Sequence, residues 1–340
     1  MKKFRFFSVL LCAAAAAASL TLSGCAAKDA PAATGEELLQ TSLPTEAATT
    51  AAPETTIPAE TQAQAMPELS LEEDGYALTF GSAKSMLLYD VNRGSIVCSR
   101  APDAQAAPGG LTKLVTALIV MENCSLEDGV TVGARENWNL PAGALNQNLQ
   151  AGEEMTVRDL LACMLLEGAN DAAIVLSEQV AGSQWNFVDL MNSRVKEIGC
   201  TDTAFSDVHG LDAEKNRTTA RDMLRIIYEA IQNDTFRDFF SMTEYVVPAT
   251  NCCEKRELMT HNYMMEQTNL FDFMDPRVTG GMQAYRRDTG GGLVCTVEDN
   301  GLYIGIVLGS ERVMADNGWS VKHFGDYEDM TELLNQGIQN

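Results

Sequence analysis

The chain has 340 residues, 46% of them hydrophobic and 21% charged, enough for one or two folded domains with a sizeable core. Its 24 Lys and Arg stand against 47 Asp and Glu, a net charge of −23, which excludes the dense basic surface that nucleic acid or a polybasic lipid contact requires. Three widely spaced His and the lack of any C-x-x-C pair argue against a zinc site, and no cofactor is expected.

Lys2, Lys3 and Arg5 precede an uncharged, alanine-rich apolar stretch over 6–22, the pattern of an export signal. The stretch closes on Leu22-Ser23-Gly24-Cys25, which resembles a bacterial lipobox. Residues 1–24 are then a lipoprotein signal peptide, and Cys25 becomes the lipidated N-terminus. Two acyl chains give the stable anchoring that one does not, so the expected location is the outer face of the cytoplasmic membrane. Residues 25–75 read as a tether. Of residues 26–75, 33 are Ala, Thr, Glu or Pro and none is aromatic, too little apolar surface to offset the entropy of ordering.

A folded domain is expected over 76–340. Residues 85–90 (SMLLYD) and 95–99 (SIVCS) read as strands around the turn 91–94. Apolar positions 111, 114, 115, 118, 119 and 121 mark a buried helix over 111–122. A second helix opens at Thr156, with Asp159 at capping-box spacing. Helices are also expected over 172–180, 187–198 and 219–232, the last with Thr219 as its cap. Residues 292–297 and 302–308 are strands about the turn 298–301, and 318–336 close the chain as a helix. Strands first, helices in the middle and strands last imply an α+β sandwich. Its antiparallel sheet joins N- and C-terminal strands, with helices on both faces and an all-helical subdomain.

Residues 107–118 (APGGLTKLVTAL), 149–161 (LQAGEEMTVRDLL), 166–173 (LEGANDAA), 205–211 (FSDVHGL), the surroundings of Asn262, and 278–280 (VTG) occur in this order. Together they resemble the serine D-Ala-D-Ala carboxypeptidases, the low-molecular-weight penicillin-binding proteins that share a fold with serine β-lactamases. The likeness runs over roughly 80–310. It implies three elements, S-x-x-K, S-x-N and K-T-G. Ser and Lys three apart on a helix share a face, so the amine takes the hydroxyl proton. The second Ser and the Asn relay protons and hold the substrate amide. The K-T-G strand edge supplies a cation and a hydroxyl for the terminal carboxylate and pairs with an extended peptide.

All three elements are damaged here. The first reads Gly110-Leu111-Thr112-Lys113, the second Gly168-Ala169-Asn170 and the third Val278-Thr279-Gly280. Lys113 and Asn170 survive as catalytic remnants, Thr279 and Gly280 as substrate-binding positions, while Gly110, Gly168 and Val278 mark lost side chains. Loss of the nucleophile alone costs on the order of 10⁶ in turnover in a serine hydrolase. Thr112 lies roughly 200° around the helix from Gly110. Arg277 should point to the opposite face of its strand unless a bulge intervenes. Arg286 and Arg287 follow in a loop that can swing in. A Ser or Cys from a loop remains an alternative nucleophile, since such sites are defined by geometry. Lys113 and Asn170 are either a residual ligand site or a pair hydrogen-bonded to each other beneath the cleft. The need of a buried Lys for a partner favours the pair. Asp171 reads as a local cap.

Besides Cys12 and Cys25 there are seven cysteines. They read as small buried hydrophobes, with Cys252 and Cys253 as the candidates for a bridge. The family's frequent C-terminal β-domain and amphipathic anchor are expected to be absent, since only about 30 residues follow Ser310. The sequence thus points to a lipid-anchored, catalytically degenerate homologue. Its partner would be a peptidoglycan stem peptide or another cell-envelope protein, its only membrane contact the N-terminal lipid. Two alternatives stay open: an active carboxypeptidase with a rearranged site, and a structural envelope protein without peptide affinity.

Overall fold

The computed structural model describes residues 68–134, 138–266, 271–314 and 321–338. The expected signal peptide, Cys25 and most of the expected tether lie outside them.

The elements are strands β1 (Glu72–Ala77), β2 (Ser85–Asp90) and β3 (Ser95–Arg100), helix α1 (Thr112–Asn123), strands β4 (Gly129–Thr131) and β5 (Glu154–Thr156), helices α2 (Val157–Leu166), α3 (Asn170–Ala181), α4 (Gln184–Glu197), α5 (Ala220–Ala230) and α6 (Asp234–Phe240), strands β6 (Glu244–Val247), β7 (Arg256–Met259), β8 (Val278–Arg286), β9 (Gly290–Glu298), β10 (Leu302–Ser310), β11 (Arg312–Met314) and β12 (Val321–Phe324), and helix α7 (Gly325–Gly337). Six strands form the main sheet in the order β1-β3-β2-β10-β9-β8. N- and C-terminal strands meet at β2–β10, where Tyr303 pairs with Asp90 and Leu308 with Ser85. All pairings are antiparallel except β1–β3, which is parallel.

Every residue of β2 is buried, because helices cover both faces of the sheet. Alternation then splits the strand between two cores. Leu87 and Tyr89 join the cluster of α1, α2, α3 and α5, while Met86 and Leu88 join that of α7. The α+β sandwich with helices on both faces is the observed architecture, and α1–α4 with α6 build the helical part around α1.

Local signals set the helix starts. Thr156 caps α2 in a reciprocal box with Asp159, and Thr219 caps α5 by accepting from the Asp222 amide at 3.0 Å, each satisfying N–H groups the helix cannot. Two boundaries differ from expectation. β1 begins within the segment read as tether, and all six of its residues are exposed, so no hydrophobic alternation announces it. Residues 321–324 form β12 and not the start of the last helix; this strand pairs with β11. The seven described cysteines are free, so Cys252 and Cys253 are not bridged to each other. Burial pushes the thiols of Cys98, Cys163, Cys200 and Cys295 up to about 12, as for inert core side chains.

Candidate active-site cleft

Four elements converge on one cleft of about 340 Å³. Gly110 lies in the 3₁₀ turn that leads into α1, and Lys113 in the first turn of that helix. Gly168 and Asn170 stand where α2 gives way to α3. The 206–212 loop brings His209, and β8 brings Met282–Arg286 along one edge. Gly110, Lys113, Gly168 and Asn170 thus line one cleft.

A Cβ placed on Gly110 would stand 3.6 Å from Lys113 Nζ and 3.1 Å from the Ala284 Cβ. The backbone there is outside the left-handed region, so the position accepts a side chain conformationally; it simply has none. Gly168 differs. Its φ is +66°, a conformation that L side chains pay to adopt.

Lys113 is 3% exposed and donates to the His209 carbonyl at 2.9 Å. Burial pulls its pKa down to about 8. The Asp207 carboxylate opposes that shift and the Arg286 guanidinium adds to it. Among the described residues no carboxylate lies within ion-pair reach of the amine. Burial would raise the Asp207 carboxyl, but hydrogen bonding to His209, the imidazole's charge when protonated, and the amides of Asp212 and Gly210 outweigh it and hold the group well below the carboxylate range.

Asn170, 3% exposed, donates through Nδ2 to the Leu145 carbonyl at 2.8 Å. Its Oδ1 is buried without a hydrogen-bond partner. Lys113 and Asn170 therefore do not hydrogen-bond each other as expected. Each has found a backbone carbonyl from a loop. Asp171 acts as a clamp: its carboxylate accepts from the amides of Gln147 at 3.0 Å and Leu149 at 3.1 Å and holds the 141–149 loop over the site.

The third element is not where the Val-Thr-Gly string placed it. The β8–β9 register shifts between Val278 and Gly280, a bulge that reverses the alternation. Val278 packs in the α7 core, while Met282 belongs to the α1 core. A Cβ on Gly280 would meet Thr296 Oγ1 and Phe240, and Thr279 Oγ1 donates to Thr296 Oγ1 at 3.3 Å. Neither Thr279 nor Gly280 lines the cleft. The edge beside Gly110 reads Met282-Gln283-Ala284, roughly 13 Å further along the strand. That edge carries neither Lys nor Thr. Arg277 is turned to α7, bound to Asp275 at 2.7 Å and to Asn335 at 3.1 Å. Arg286 does line the cleft, paired with Asp288 at 2.7 Å.

Among the described residues that line the cleft there is no Ser, Thr or Cys. Thr112 Oγ1 is buried without a partner and is not in the lining. Thr289 Oγ1 comes within 3.5 Å of a Cβ on Gly109 but lines a different depression. Residues 77–311 match the sequence profile of the D-alanyl-D-alanine carboxypeptidases. The chain belongs to that family. D-alanyl-D-alanine carboxypeptidase DacC of Escherichia coli (strain K12) is 37% identical over 150 residues, which is 42% of this chain and 37% of that protein. D-alanyl-D-alanine carboxypeptidase DacF of Bacillus subtilis (strain 168) is 29% identical over 161 residues, 46% of this chain and 41% of that protein. The matched part thus spans about two fifths of the length of these curated relatives. Solved folds agree over more of the chain. D-alanyl-D-alanine carboxypeptidase from Mycobacterium tuberculosis H37Rv superposes with a TM-score of 0.66 at 20% identity, covering 80% of this chain and 97% of that one. Penicillin binding protein 6B from Escherichia coli gives 0.64 at 24%, covering 80% and 82%. Within this carboxypeptidase fold, then, the cleft presents the Lys113 amine and the Asn170 amide with no Ser, Thr or Cys in its described lining.

Proposed function

We propose that this protein is a catalytically silent D-Ala-D-Ala carboxypeptidase homologue whose cleft binds a peptidoglycan stem peptide without cleaving it. One observation carries the reading: Gly110 stands at the S-x-x-K serine position beside Lys113, in a cleft whose described lining has no Ser, Thr or Cys. Acyl transfer of the family type needs a bond from a serine-like nucleophile to the carbonyl carbon, and the described lining offers no Ser, Thr or Cys to form it.

Retention of a peptide is supported by two features. β8 is an edge strand of the sheet, so its outer backbone groups are available to an extended chain. Asn170 lines the cleft, at the position whose amide the family resemblance assigns to holding the substrate. The loss of a cation from the Met282-Gln283-Ala284 edge implies weaker hold on a free terminal carboxylate than in an active relative. The lipobox at Cys25 supports attachment to the outer face of the cytoplasmic membrane, which puts the cleft near cell-wall peptides.

Titration with a stem pentapeptide ending in D-Ala-D-Ala tests this. The expected result is saturable binding with no D-Ala released. Release of D-Ala would show an active, rearranged site, and absence of binding would leave an adaptor role for the fold.

A further inference from the structure

A second concavity of about 730 Å³ adjoins the cleft, and Pro141, His209 and Leu211 wall both. It lies between the end of α3, the start of α4 and the 206–212 loop. Its volume is in the range of small-molecule sites. Trp185, in the first turn of α4, forms part of it and is 78% exposed, while Trp138, at 4%, is buried against it. An indole left in water beside a pocket is apolar surface without a cover.

The polar lining is acidic or neutral apart from His209. Glu178, Gln184 and Asn139 face the concavity, and no Lys or Arg belongs to the described lining. Burial pushes the Glu178 carboxyl up, against hydrogen bonds from Gln184 and Trp138. Asp207 is occupied by loop amides, among them that of Asp212 at 2.6 Å, and Asp212 pairs with Lys215 at 3.1 Å. A phosphate or carboxylate ligand would find carboxylates and, in the described lining, no Lys or Arg. A purely apolar ligand would cover the hydrogen-bonding capacity that Glu178, Gln184 and Asn139 do not spend on each other. A pyranose meets both demands: its C–H face lies on an indole, and its hydroxyl and acetamido groups bond to carboxylate and amides.

We propose that this concavity is a saccharide subsite for the neutral N-acetylated amino sugar that carries the peptide seated in the cleft, with Trp185 as its stacking platform. The inference rests on the peptide reading of the cleft, since a stem peptide is amide-linked to such a sugar. The depression at the other end of the cleft, about 230 Å³, is lined by Arg312 and His261. It is smaller, below the roughly 300 Å³ at which small-molecule sites begin, and its Arg312 and His261 are already paired with Asp326 at 2.6 Å and Glu167 at 3.0 Å, which leaves the larger concavity to the sugar.

The test compares three probes on the full chain and on Trp185→Ala: a bare stem pentapeptide, the same peptide on its disaccharide, and chitotriose. Binding is read by calorimetry and by tryptophan fluorescence, the chain having three Trp. The disaccharide peptide should bind about tenfold tighter than the bare peptide, a gain of the size aromatic contacts provide. In Trp185→Ala that ratio should fall to about one with bare-peptide affinity unchanged, and chitotriose should quench fluorescence only in the parent chain. A ratio near one in the parent, or a ratio retained in Trp185→Ala, overturns the inference while leaving the peptide reading intact. Trp185-dependent binding of chitotriose with no binding of the bare peptide does the reverse: the subsite stands and the peptide reading falls.

Discussion

Lys113 Nζ lies 3.6 Å from the point where a Cβ on Gly110 would stand. On the proposed reading, the amine that would serve as base to a serine stands next to an empty position. Its cost remains as well: a buried amine whose pKa falls from 10.5 to about 8, chiefly by desolvation. Between those two pH values the unfolded chain holds more of this proton than the folded one. The penalty is complete below pH 8 and is relieved as pH rises toward 10.5. The stability of Lys113→Met relative to the parent should accordingly drop across that window, by up to about 3 kcal/mol. Urea unfolding of both proteins at several pH values checks this. A stability difference that does not change with pH would mean that the amine is not desolvated.

Restoring the serine alone should not restore catalysis. Gly110→Ser fits its backbone, although the Ala284 Cβ at 3.1 Å must yield slightly. The single variant still lacks a hydroxyl at 168 and a cation on the β8 edge, and groups that act as a unit are far from additive. Gly168→Ser must adopt φ near +66°, at a cost of about 1–2 kcal/mol, so it should lower the melting temperature. Val278→Lys would put its charge into the α7 core and destabilise on the order of 2 kcal/mol with no gain in rate. Met282→Lys is the substitution that places a cation beside the cleft. D-Ala release by the single and combined variants is the readout. Full activity in Gly110→Ser alone would refute the account of coupled loss.

The contrast between Val278 and Met282 shows where sequence reading succeeds and where it stops. Thr156 with Asp159 and Thr219 with Asp222 are legible because a cap and its helix are neighbours in the chain. The order of the damaged motifs is legible for the same reason, and it brought Gly110, Lys113, Gly168 and Asn170 to one cleft. The Val-Thr-Gly match misled because its register depends on a bulge set against β9, which no local string encodes. The partners of Lys113 and Asn170 are carbonyls 96 and 25 residues away, and carbonyls are present at every residue. Nothing in the spacing distinguishes His209 O or Leu145 O from the rest. The left-handed backbone at Gly168 was equally hidden, because Gly accepts either sign of φ.

Cys25→Ala should release the protein from washed membranes. The lipobox motivates this, and no helix among the described residues is long and apolar enough to cross a bilayer. The measurement is the share of the protein in the soluble fraction, by immunoblot. Retention of the variant in the membrane pellet would show another anchor.

The central claim is that no serine, threonine or cysteine nucleophile stands in the cleft, and intact-protein mass spectrometry after incubation with penicillin tests it most directly. The account predicts an unchanged mass for the parent chain. A stoichiometric mass increase by one penicillin, mapped to any residue of the cleft, would contradict it.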